Sequence, residues 1–531
     1  MNITSQKRFL KLGYLLWLAL ICAFTLLHWL HLKADFPNHT IWYSDWAKYT
    51  DEGWYGNAAI RAHLFGNWYV PGDFNPAPAV PVWPFLEWLL FFVTGVSLTA
   101  GRALAVSFFC INLAFSYRLL RTRGPRWMAL LALTLLATSP FLYAFSRLAI
   151  LEQMLTAFTL AAINLAVRLP RLRRPLLASA TIGVLYTLMM LTKTTAAFLA
   201  PALAWAVIWP LWHNRKLMVR CALMAAAAFT ATFGFWMTLV VLKGWLADYK
   251  YLFFINKYVK PPEFYWPLWA FWWSFHGTLW IDRILVPLAG AVLLLAVAAW
   301  GARFNSWGRG LLLDPVFGTA FLAVAGYIGF MTYQNHPQPR YFAFVAFFIV
   351  FMVVLGAASL AGQSGVLRTA SWAVVGIAAL AVVWNSWQTI NFARHPQYTF
   401  VNAARNLAHY IDTHPNGNRL LVSISGDQIT MATHLPSLCD DFGTEELVAK
   451  LQRYQPGWWA TWNDIDPGTL EDLHQHYTLE QVAKFRAFDD PERNVLVLFK
   501  LHPLPRGQER DYGAQNLQVP LKGDKIKIPI E

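Results

Sequence analysis

Residues 12–30 read LGYLLWLALICAFTLLHWL, and the basic residues Lys7, Arg8 and Lys11 precede them. The run is close to the ~20 apolar residues that an α-helix needs to cross a bilayer. It is too long for the apolar part of a signal peptide, and no small-residue cleavage site follows it. We therefore expect a retained membrane helix whose N-terminus lies in the cytoplasm.

Ten more apolar runs of similar length follow along the chain. Of its 531 residues, 57% are apolar and only 14% are charged. This composition predicts a multi-spanning α-helical membrane protein with about eleven transmembrane helices. The other predicted spans are 101–119, 127–145, 149–167, 176–192, 195–212, 219–242, 284–302, 315–332, 341–361 and 370–389.

The net charge of +14 comes from short basic clusters between the apolar runs. This is the positive-inside pattern of cytoplasmic loops, so we expect no nucleic-acid partner. With eleven helices, all the basic loops are cytoplasmic and the C-terminus lies outside the plasma (inner) membrane, facing the periplasm or exterior. The clusters are Arg121, Arg123 and Arg126; Arg168, Arg171, Arg173 and Arg174; Arg215, Lys216 and Arg220; Arg303 and Arg309; and Arg368.

Residues 82–98 are apolar enough to span, but Pro84 and Glu87 interrupt the run. Trp83 and Trp88 are typical of the membrane interface. We predict a helix that lies in the outer interface. The alternative is a twelve-span protein, which would move the first outer loop to the cytoplasmic side.

The chain divides into two predicted parts. Residues 1–390 form the transmembrane part, with a first outer loop at about 33–100 that contains interfacial helices. Residues 391–531 contain no apolar run of spanning length and hold eighteen of the 29 acidic residues. Predicted strands at 419–425 and 494–500, and predicted helices at 444–454 and 466–476, indicate a soluble α/β domain on the outer face.

Outside the basic loops, the candidate ionisable residues of the membrane part converge on its outer face under this topology. An adjacent carboxylate pair beside a membrane helix points to chemistry more readily than to solubility in a chain with so few acids. The converging residues are Asp51 and Glu52 in the first outer loop, Arg147 and Glu152 at the next outer turn, Lys193 at the outer end of a span, and Arg340 and Tyr341 at the start of a later one.

Such a site suits the transfer of a sugar from a polyprenyl phosphate, because the lipid tail lies in the bilayer and the anomeric carbon lies at the interface. Asp51 could take the proton of the acceptor hydroxyl as a general base. The cations that could stabilise the departing phosphate are Lys193, Arg147 and Arg340. The aromatic residues that could stack on sugar rings include Trp54, Tyr55 and Trp68.

The order of these motifs resembles the membrane glycosyltransferases of the GT-C fold, in particular the lipid A aminoarabinose transferases and protein O-mannosyltransferases. The resemblance covers about 40–361 and implies an inverting hexosyl- or pentosyltransferase with a polyprenyl-phosphate donor, such as an undecaprenyl phosphate. The implied acceptor is a hydroxyl or phosphate of a glycolipid such as lipid A, of an envelope glycan or of a protein. The motifs are DEGWY at 51–55, GNWYVP at 66–71, Arg147 with Glu152, LTK at 191–193, and Arg340 with Tyr341.

The resemblance also implies roles for single residues. Asp51 would be the catalytic carboxylate with Glu52 as its partner, and Glu152 stands where the family usually carries a second Asp. Lys193 would bind the donor phosphate together with Arg147 and Arg340, and Tyr341 would join the aromatic residues that bind substrate. Trp54 stands where the aminoarabinose transferases carry an Arg, so Lys257 or Lys260 is the candidate for a missing cation. The sequence points to no particular cofactor and leaves a requirement for a divalent metal open; if such a metal takes part, Asp51 and Glu152 are its expected ligands.

Two other protein classes stay open. A secondary transporter would be expected to show paired half-repeats and ionisable residues near the bilayer midplane, and the sequence shows neither. A membrane scaffold or receptor with an outer binding domain would not need the converging residues. Single residues also have simpler explanations, since Lys193 could reach toward headgroups and Glu152 could pair with Arg147 or cap a helix.

Overall fold

The computed structural model describes residues 3–37, 45–255, 284–301, 306–334, 338–488, 490, 493–505 and 526–527. Up to Arg394 the described chain is helical, and after it a mixed sheet appears. The helices up to that point are Ile3–Leu27, Asp51–Trp54, Asn57–Phe65, Val82–Thr94, Leu98–Leu120, Arg126–Thr138, Pro140–Ser146, Glu152–Ala166, Pro175–Thr192, Ala200–Ile208, Arg215–Leu242, Leu246–Lys250, Leu285–Gly301, Ser306–Leu312, Pro315–Gln334, Phe342–Ala361 and Val366–Arg394.

The helix Phe342–Ala361 lies at the centre of the bundle. It is apolar on all sides, and almost every residue of it is buried. A helix without a polar face has to be surrounded by other helices or by lipid, and here its neighbours include Arg126–Thr138, Leu285–Gly301, Pro315–Gln334 and Val366–Arg394. This central helix begins two residues after Arg340, which lies in the short 3₁₀ helix Pro339–Tyr341, so its packing also helps to fix the position of that residue.

Seven helices in the described residues are long and apolar enough to cross a membrane, and the number is eight if one bent pair counts as a single span. The structure is therefore that of a multi-spanning membrane protein. Three predicted spans correspond to shorter apolar segments: Leu12–Leu27, Glu152–Ala166 and Leu285–Gly301. The total of eleven stays a prediction.

The bent pair covers the predicted span 127–145. The helix Arg126–Thr138 stops at Ser139, and Pro140 begins a second helix at an angle of 65°. The Ser139 hydroxyl accepts a hydrogen bond from Leu142 N, which caps the new helix, and proline is favoured in the first turn because it has no N–H to satisfy. The bend leads the chain into a buried turn at 147–151, after which Glu152 starts the next helix.

The segment predicted to lie in the interface forms the helix Val82–Thr94, which has 13 residues. At 1.5 Å per residue it is roughly 20 Å long, which is short of the ~30 Å hydrocarbon core. It ends at Gly95, whose positive φ of 68° suits glycine. Its length agrees with an interfacial position, which stays a prediction.

The described strands of the C-terminal part are β1 Leu421–Val422, β2 Ser437–Leu438, β3 Trp458–Trp462, β4 Asp464–Ile465, β5 Tyr477–Arg486, β6 Val495–Pro503 and β7 Ile526–Lys527. Five of them form a sheet in the order β2-β1-β3-β6-β5, in which β1 pairs in parallel with β2 and β3, and the other pairs are antiparallel. The predicted strand at 419–425 is reduced to two residues, whereas the strand predicted at 494–500 continues to Pro503. The helices are Thr399–Thr413, Gly426–Thr433, Leu447–Tyr454 and Pro467–His476. Strands β4 and β7 form a separate antiparallel pair.

The sheet and the first loop share one apolar core. Side chains alternate across a strand, so Trp458 and Trp462 face one side of the sheet and Trp459 faces the other. The cluster around Trp458 and Trp462 also contains Tyr49 and Ile60 of the first loop. The domain boundary at 390/391 stays a prediction, and the packing makes the sheet and this loop mutually dependent.

Arg123 lies in one basic loop, and Asp314 lies in the loop that contains Arg309. These two residues form an ion pair, so the two loops lie at the same end of the bundle. We predict that this end is cytoplasmic and that the sheet lies outside. Single cysteines at exposed Arg173 and exposed Glu471, in a chain without the four native cysteines, should differ in reaction with an impermeant thiol reagent on intact cells. Labelling at 471 and not at 173 is expected, and the reverse pattern would invert the topology.

Candidate functional site

A cavity of about 170 Å³ lies at the opposite end of the bundle, between the helix ends, the first loop and the C-terminal part. Its wall is mostly apolar and aromatic, with three charged side chains, which is the usual character of a ligand site. The lining residues are Trp46, Thr50, Asp51, Trp54, Tyr55, Phe74, Val80, Leu151, Lys193, Thr194, Thr195, Leu252, Phe330, Arg340, Tyr341, Ile424 and Phe442.

Asp51 is 2% exposed and is the carboxylate of this wall. It begins the short helix Asp51–Trp54, and its Oδ1 accepts a hydrogen bond of 3.0 Å from the Thr50 hydroxyl. Its Oδ2 lies 3.0 Å from Arg340 Nε, yet neither atom makes an aligned hydrogen bond with a described residue. Burial raises the pKa of Asp51 above its ordinary value, although the Arg340 charge acts in the opposite direction. The carboxylate therefore combines low solvation with an oxygen still able to accept a proton.

Arg340 bridges Asp51 and a second carboxylate, Asp45. The Arg340 Nη1 donates to Asp45 Oδ1 at 2.9 Å, and its backbone N–H donates to Asp45 Oδ2 at 2.7 Å. Because both the side chain and the main chain are held, the guanidinium has one orientation at the start of the central helix. Sequence reasoning assigned no role to Asp45, although its place in the acid-rich first loop was a signal.

Lys193 and Glu152 form a buried ion pair beside Asp51. Lys193 follows the last residue of the helix Pro175–Thr192, and Glu152 is the first residue of the helix Glu152–Ala166. Glu152 Oε2 has no hydrogen-bond partner among the described residues. The Lys193 ammonium and the Arg340 guanidinium both lie over the Tyr341 ring, at 4.6 and 5.1 Å from its centroid. Two cations thus meet around one aromatic ring at the cavity.

Glu52 does not line the cavity and has a different environment from Asp51. Its two carboxylate oxygens accept from Arg102 Nε at 2.7 Å, Arg102 Nη2 at 2.6 Å, Ala149 N at 3.0 Å and Gln428 Nε2 at 3.0 Å. The Glu52 carboxylate is fully engaged, so the structure does not favour its sequence-based assignment as a catalytic partner. It ties the first loop to the helix Leu98–Leu120, to the turn before Glu152 and to the helix Gly426–Thr433.

Gly53 completes this attachment. A Cβ at Gly53 would lie 2.2 Å from Gln428 N, so only glycine allows the two backbones to approach this closely. The three residues Asp-Glu-Gly therefore have separate tasks: Asp51 faces the cavity, Glu52 anchors the turn, and Gly53 permits the contact with the C-terminal part.

The other predicted site residues divide into those that line the cavity and those that lie elsewhere. Tyr55, Trp54 and Tyr341 line the cavity, and Trp54 Nε1 also donates to Ile424 O at 3.1 Å. Trp68 lies outside it and packs edge-on against Trp245, with ring centroids 4.9 Å apart. Arg147 lines a different cavity. Lys257 and Lys260 lie outside the described residues.

The C-terminal part contributes Ile424 and Phe442 to the wall. Phe442 packs edge-on against Trp54, with centroids 4.6 Å apart. No sequence signal indicated these residues, because they are more than 350 positions away from Asp51 and bear no reactive group. The cavity is complete only when the two parts of the chain are packed together.

The residues present do not fit a divalent metal well. In the part of the chain that the structure describes, no three His, Cys, Asp or Glu side chains are grouped as candidate ligands. Asp51 and Glu152, the ligands expected if a metal takes part, each lie against a cation, Arg340 and Lys193 respectively. A dication would have to share the site with these two positive charges, which would repel it.

Comparison with solved structures identifies the architecture. The fold resembles ArnT from Cupriavidus metallidurans in the apo state (13% identity, 92% of this chain and 98% of ArnT, TM-score 0.56) and the same protein bound to undecaprenyl phosphate (13% identity, 91% and 98%, TM-score 0.54). It also resembles the arabinofuranosyltransferase AftD from Mycobacteria (13% identity, 92% of this chain and 40% of AftD, TM-score 0.51).

The chain is therefore a multi-spanning membrane protein with the GT-C fold, and the resemblance indicated by the sequence motifs is confirmed. The family model of the dolichyl-phosphate-mannose-protein mannosyltransferases matches residues 76–236. This region includes Arg147, Glu152 and Lys193 and stops short of Asp51 and Arg340. No curated protein sequence matches the chain.

The Lys193–Glu152 pair gives a test of the site's electrostatics. Lys193→Met should destabilise the protein by about 3–5 kcal/mol, because a buried carboxylate loses its counter-charge. The double variant Lys193→Met/Glu152→Gln should recover most of that loss, since both charges are then absent. Thermal unfolding of the purified variants in detergent measures the coupling, and additive single effects would contradict a direct interaction.

Proposed function

We propose that the protein is a glycosyltransferase that moves a sugar from a polyprenyl-phosphate donor to an acceptor at the membrane surface, with the reaction in the cavity beside Asp51. The observation that carries the proposal is the grouping of one available buried carboxylate with two cations, at helix ends of a GT-C fold. The family-model match and the GT-C neighbours support the glycosyltransferase class and a lipid-linked donor. We further propose that the site faces the periplasm or exterior.

The reaction would proceed by inversion at the anomeric carbon. The acceptor oxygen attacks this carbon and forms the new glycosidic bond, the bond from the carbon to the phosphate oxygen breaks, and the polyprenyl phosphate leaves with the bonding electrons. The acceptor proton passes to Asp51. A hydroxyl of a glycolipid, an envelope glycan or a protein is the acceptor that needs such a base.

Asp51 is suited to act as the general base because burial raises its pKa and so increases its affinity for a proton. The Arg340 contact keeps the carboxylate oriented and favours its ionised form before the reaction. Glu52 has the role of a positioning residue in this mechanism, since its oxygens are occupied by four donors.

Lys193 and Arg340 are the proposed donor-phosphate ligands. Both line the cavity and both lie over the Tyr341 ring, so a phosphate could approach the two cations together. Lys193 lies between the apolar segments Pro175–Thr192 and Thr194–Leu211, so a phosphate bound there would have apolar helix surface for its lipid tail. Charge that develops on the departing phosphate would be stabilised electrostatically in this poorly solvated cavity. Trp54 and Tyr55 remain the proposed sugar-stacking residues.

Asp51→Asn should lower transfer by 10²–10⁴-fold, because the amide keeps the size of the carboxylate but takes up no proton. Wild-type kcat/KM should fall as the pH decreases through an apparent pKa above the ~3.9 of an ordinary Asp, since protonated Asp51 is no base. Sugar release from a polyprenyl-phosphate donor in detergent measures both effects.

Thermal stability and donor binding serve as controls for Asp51→Asn and should change little. Glu152→Gln should reduce transfer less than Asp51→Asn does. A fully active Asp51→Asn enzyme would remove Asp51 as the base, and a folded, fully active Asp51→Asn/Glu152→Gln protein would refute the proposed site.

Donor affinity tests the phosphate ligand separately. Comparing Glu152→Gln with Lys193→Met/Glu152→Gln isolates the loss of the ammonium without leaving a buried carboxylate unpaired. The second variant should bind the donor roughly ten- to a hundredfold more weakly, the usual magnitude for a charge-assisted contact. Equal affinities, measured by titration with the polyprenyl-phosphate sugar, would assign the phosphate to Arg340 alone.

A further inference from the structure

A second cavity, of about 200 Å³, lies beside Arg147 at the same end of the helical bundle. Its wall is formed where three helices end: residues 34–37 follow the first helix, Tyr143 and Arg147 belong to the bent pair and its turn, and residues 391–397 end the helix Val366–Arg394 and continue from it. The cavity does not share a lining residue with the candidate functional site.

Arg147 is 7% exposed and pairs with no carboxylate among the described residues. Its Nη2 donates to Leu30 O at 2.7 Å and to His31 O at 2.5 Å, and its Nε has no hydrogen-bond partner in the part of the chain that the structure describes. The guanidinium carbon lies 4.5 Å from the centroid of the Tyr143 ring. Three other buried arginines, Arg61, Arg102 and Arg340, each face at least one carboxylate.

The other charged and titratable groups at the cavity do not neutralise Arg147. The Asp35 carboxylate lines the cavity but accepts from Thr399 N at 2.8 Å, Thr399 Oγ1 at 2.6 Å and Phe400 N at 3.1 Å, so it is held at the start of the helix Thr399–Thr413. His395 is exposed, and its Nδ1 lies 2.9 Å from Asn391 O. A buried cation without a counter-charge is costly, and an anion in the adjoining cavity would offset that cost.

We propose that this second cavity binds the phosphate of an anionic membrane lipid headgroup. Guanidinium presents several N–H donors in a planar fork that matches phosphate oxygens. The cavity lies where membrane helices end, which is the level of lipid headgroups, and exposed Trp384 and Trp387 on the last of these helices are typical of that boundary. The site is independent of the proposed transfer reaction.

A purely structural role for Arg147 is the alternative. Its bonds to Leu30 O and His31 O satisfy carbonyls after the first helix and hold His31 in a left-handed conformation with φ of 55°. These bonds use Nη2 alone. The structural role predicts that added anions have no Arg147-dependent effect, so the two roles are separable by experiment.

The test measures thermal stabilisation of detergent-purified protein by dihexanoyl phosphatidylglycerol and, in a parallel arm, by inorganic phosphate, because a ligand that binds the folded state raises its stability with concentration. Arg147→Gln removes the cation. Gln397→Glu adds a carboxylate at the cavity wall while leaving Arg147 and its carbonyl partners unchanged. Arg394→Gln removes one exposed positive charge at the same helix end, outside the cavity, and is the matched control.

Arg147→Gln and Gln397→Glu should each weaken the apparent affinity for phosphatidylglycerol at least about tenfold, with Arg394→Gln and Lys193→Met/Glu152→Gln within twofold of the wild type. If Gln397→Glu weakens the stabilisation by phosphatidylglycerol, and inorganic phosphate does not stabilise the protein, the ligand is a lipid headgroup. If only inorganic phosphate stabilises the protein, and Gln397→Glu weakens that stabilisation, the ligand is a free anion and the lipid assignment is overturned. The second site would be overturned if Gln397→Glu leaves the stabilisation by phosphatidylglycerol unchanged, or if only Lys193→Met/Glu152→Gln abolishes it.

Discussion

The carboxylate of Glu52 is the contact on which the candidate site depends. It is completely buried and receives donors from the helix Leu98–Leu120, from the turn before Glu152 and from the C-terminal helix Gly426–Thr433. Moving these elements apart would leave a buried charge without its donors, so their separation would cost a large part of the stability. Asp51 precedes Glu52 in the chain, and its position in the cavity wall follows from this attachment.

Buried charges also need partners of opposite charge, and this need determines how the charged residues around the cavity are arranged. Arg340 faces Asp45 and Asp51, and Lys193 faces Glu152, so each cation has a carboxylate partner in a poorly solvated region. Burial that makes these pairs necessary also raises the pKa of Asp51, the property that a general base requires. Stability and the proposed chemistry thus have one physical origin. Arg147 departs from this pairing, and for that reason it indicates a second anion site.

Much of the fold was predictable because hydropathy reports directly on the membrane. The apolar runs at 101–119, 176–192 and 341–361 became long helices, with bounds shifted by a few residues. The bend at Ser139–Pro140 was missed because hydropathy alone defined the span 127–145, although a serine followed by a proline is a sequence signal for a helix break. The strand predicted at 419–425 shrank to Leu421–Val422, since its pairing depends on the distant strands β2 and β3.

By itself, the sequence determined that this chain lies in a membrane and that Asp51, Glu152, Lys193 and Arg340 gather at one end of it, because few ionisable residues occur among the apolar runs. Only the tertiary structure decided what each of these residues contacts. It turned Asp51 toward the cavity and Glu52 toward Arg102, introduced Asp45 as the partner of Arg340, and placed Arg147 in a separate cavity. Adjacent side chains on a short helix point in different directions, and what each one meets is set by packing between segments hundreds of residues apart.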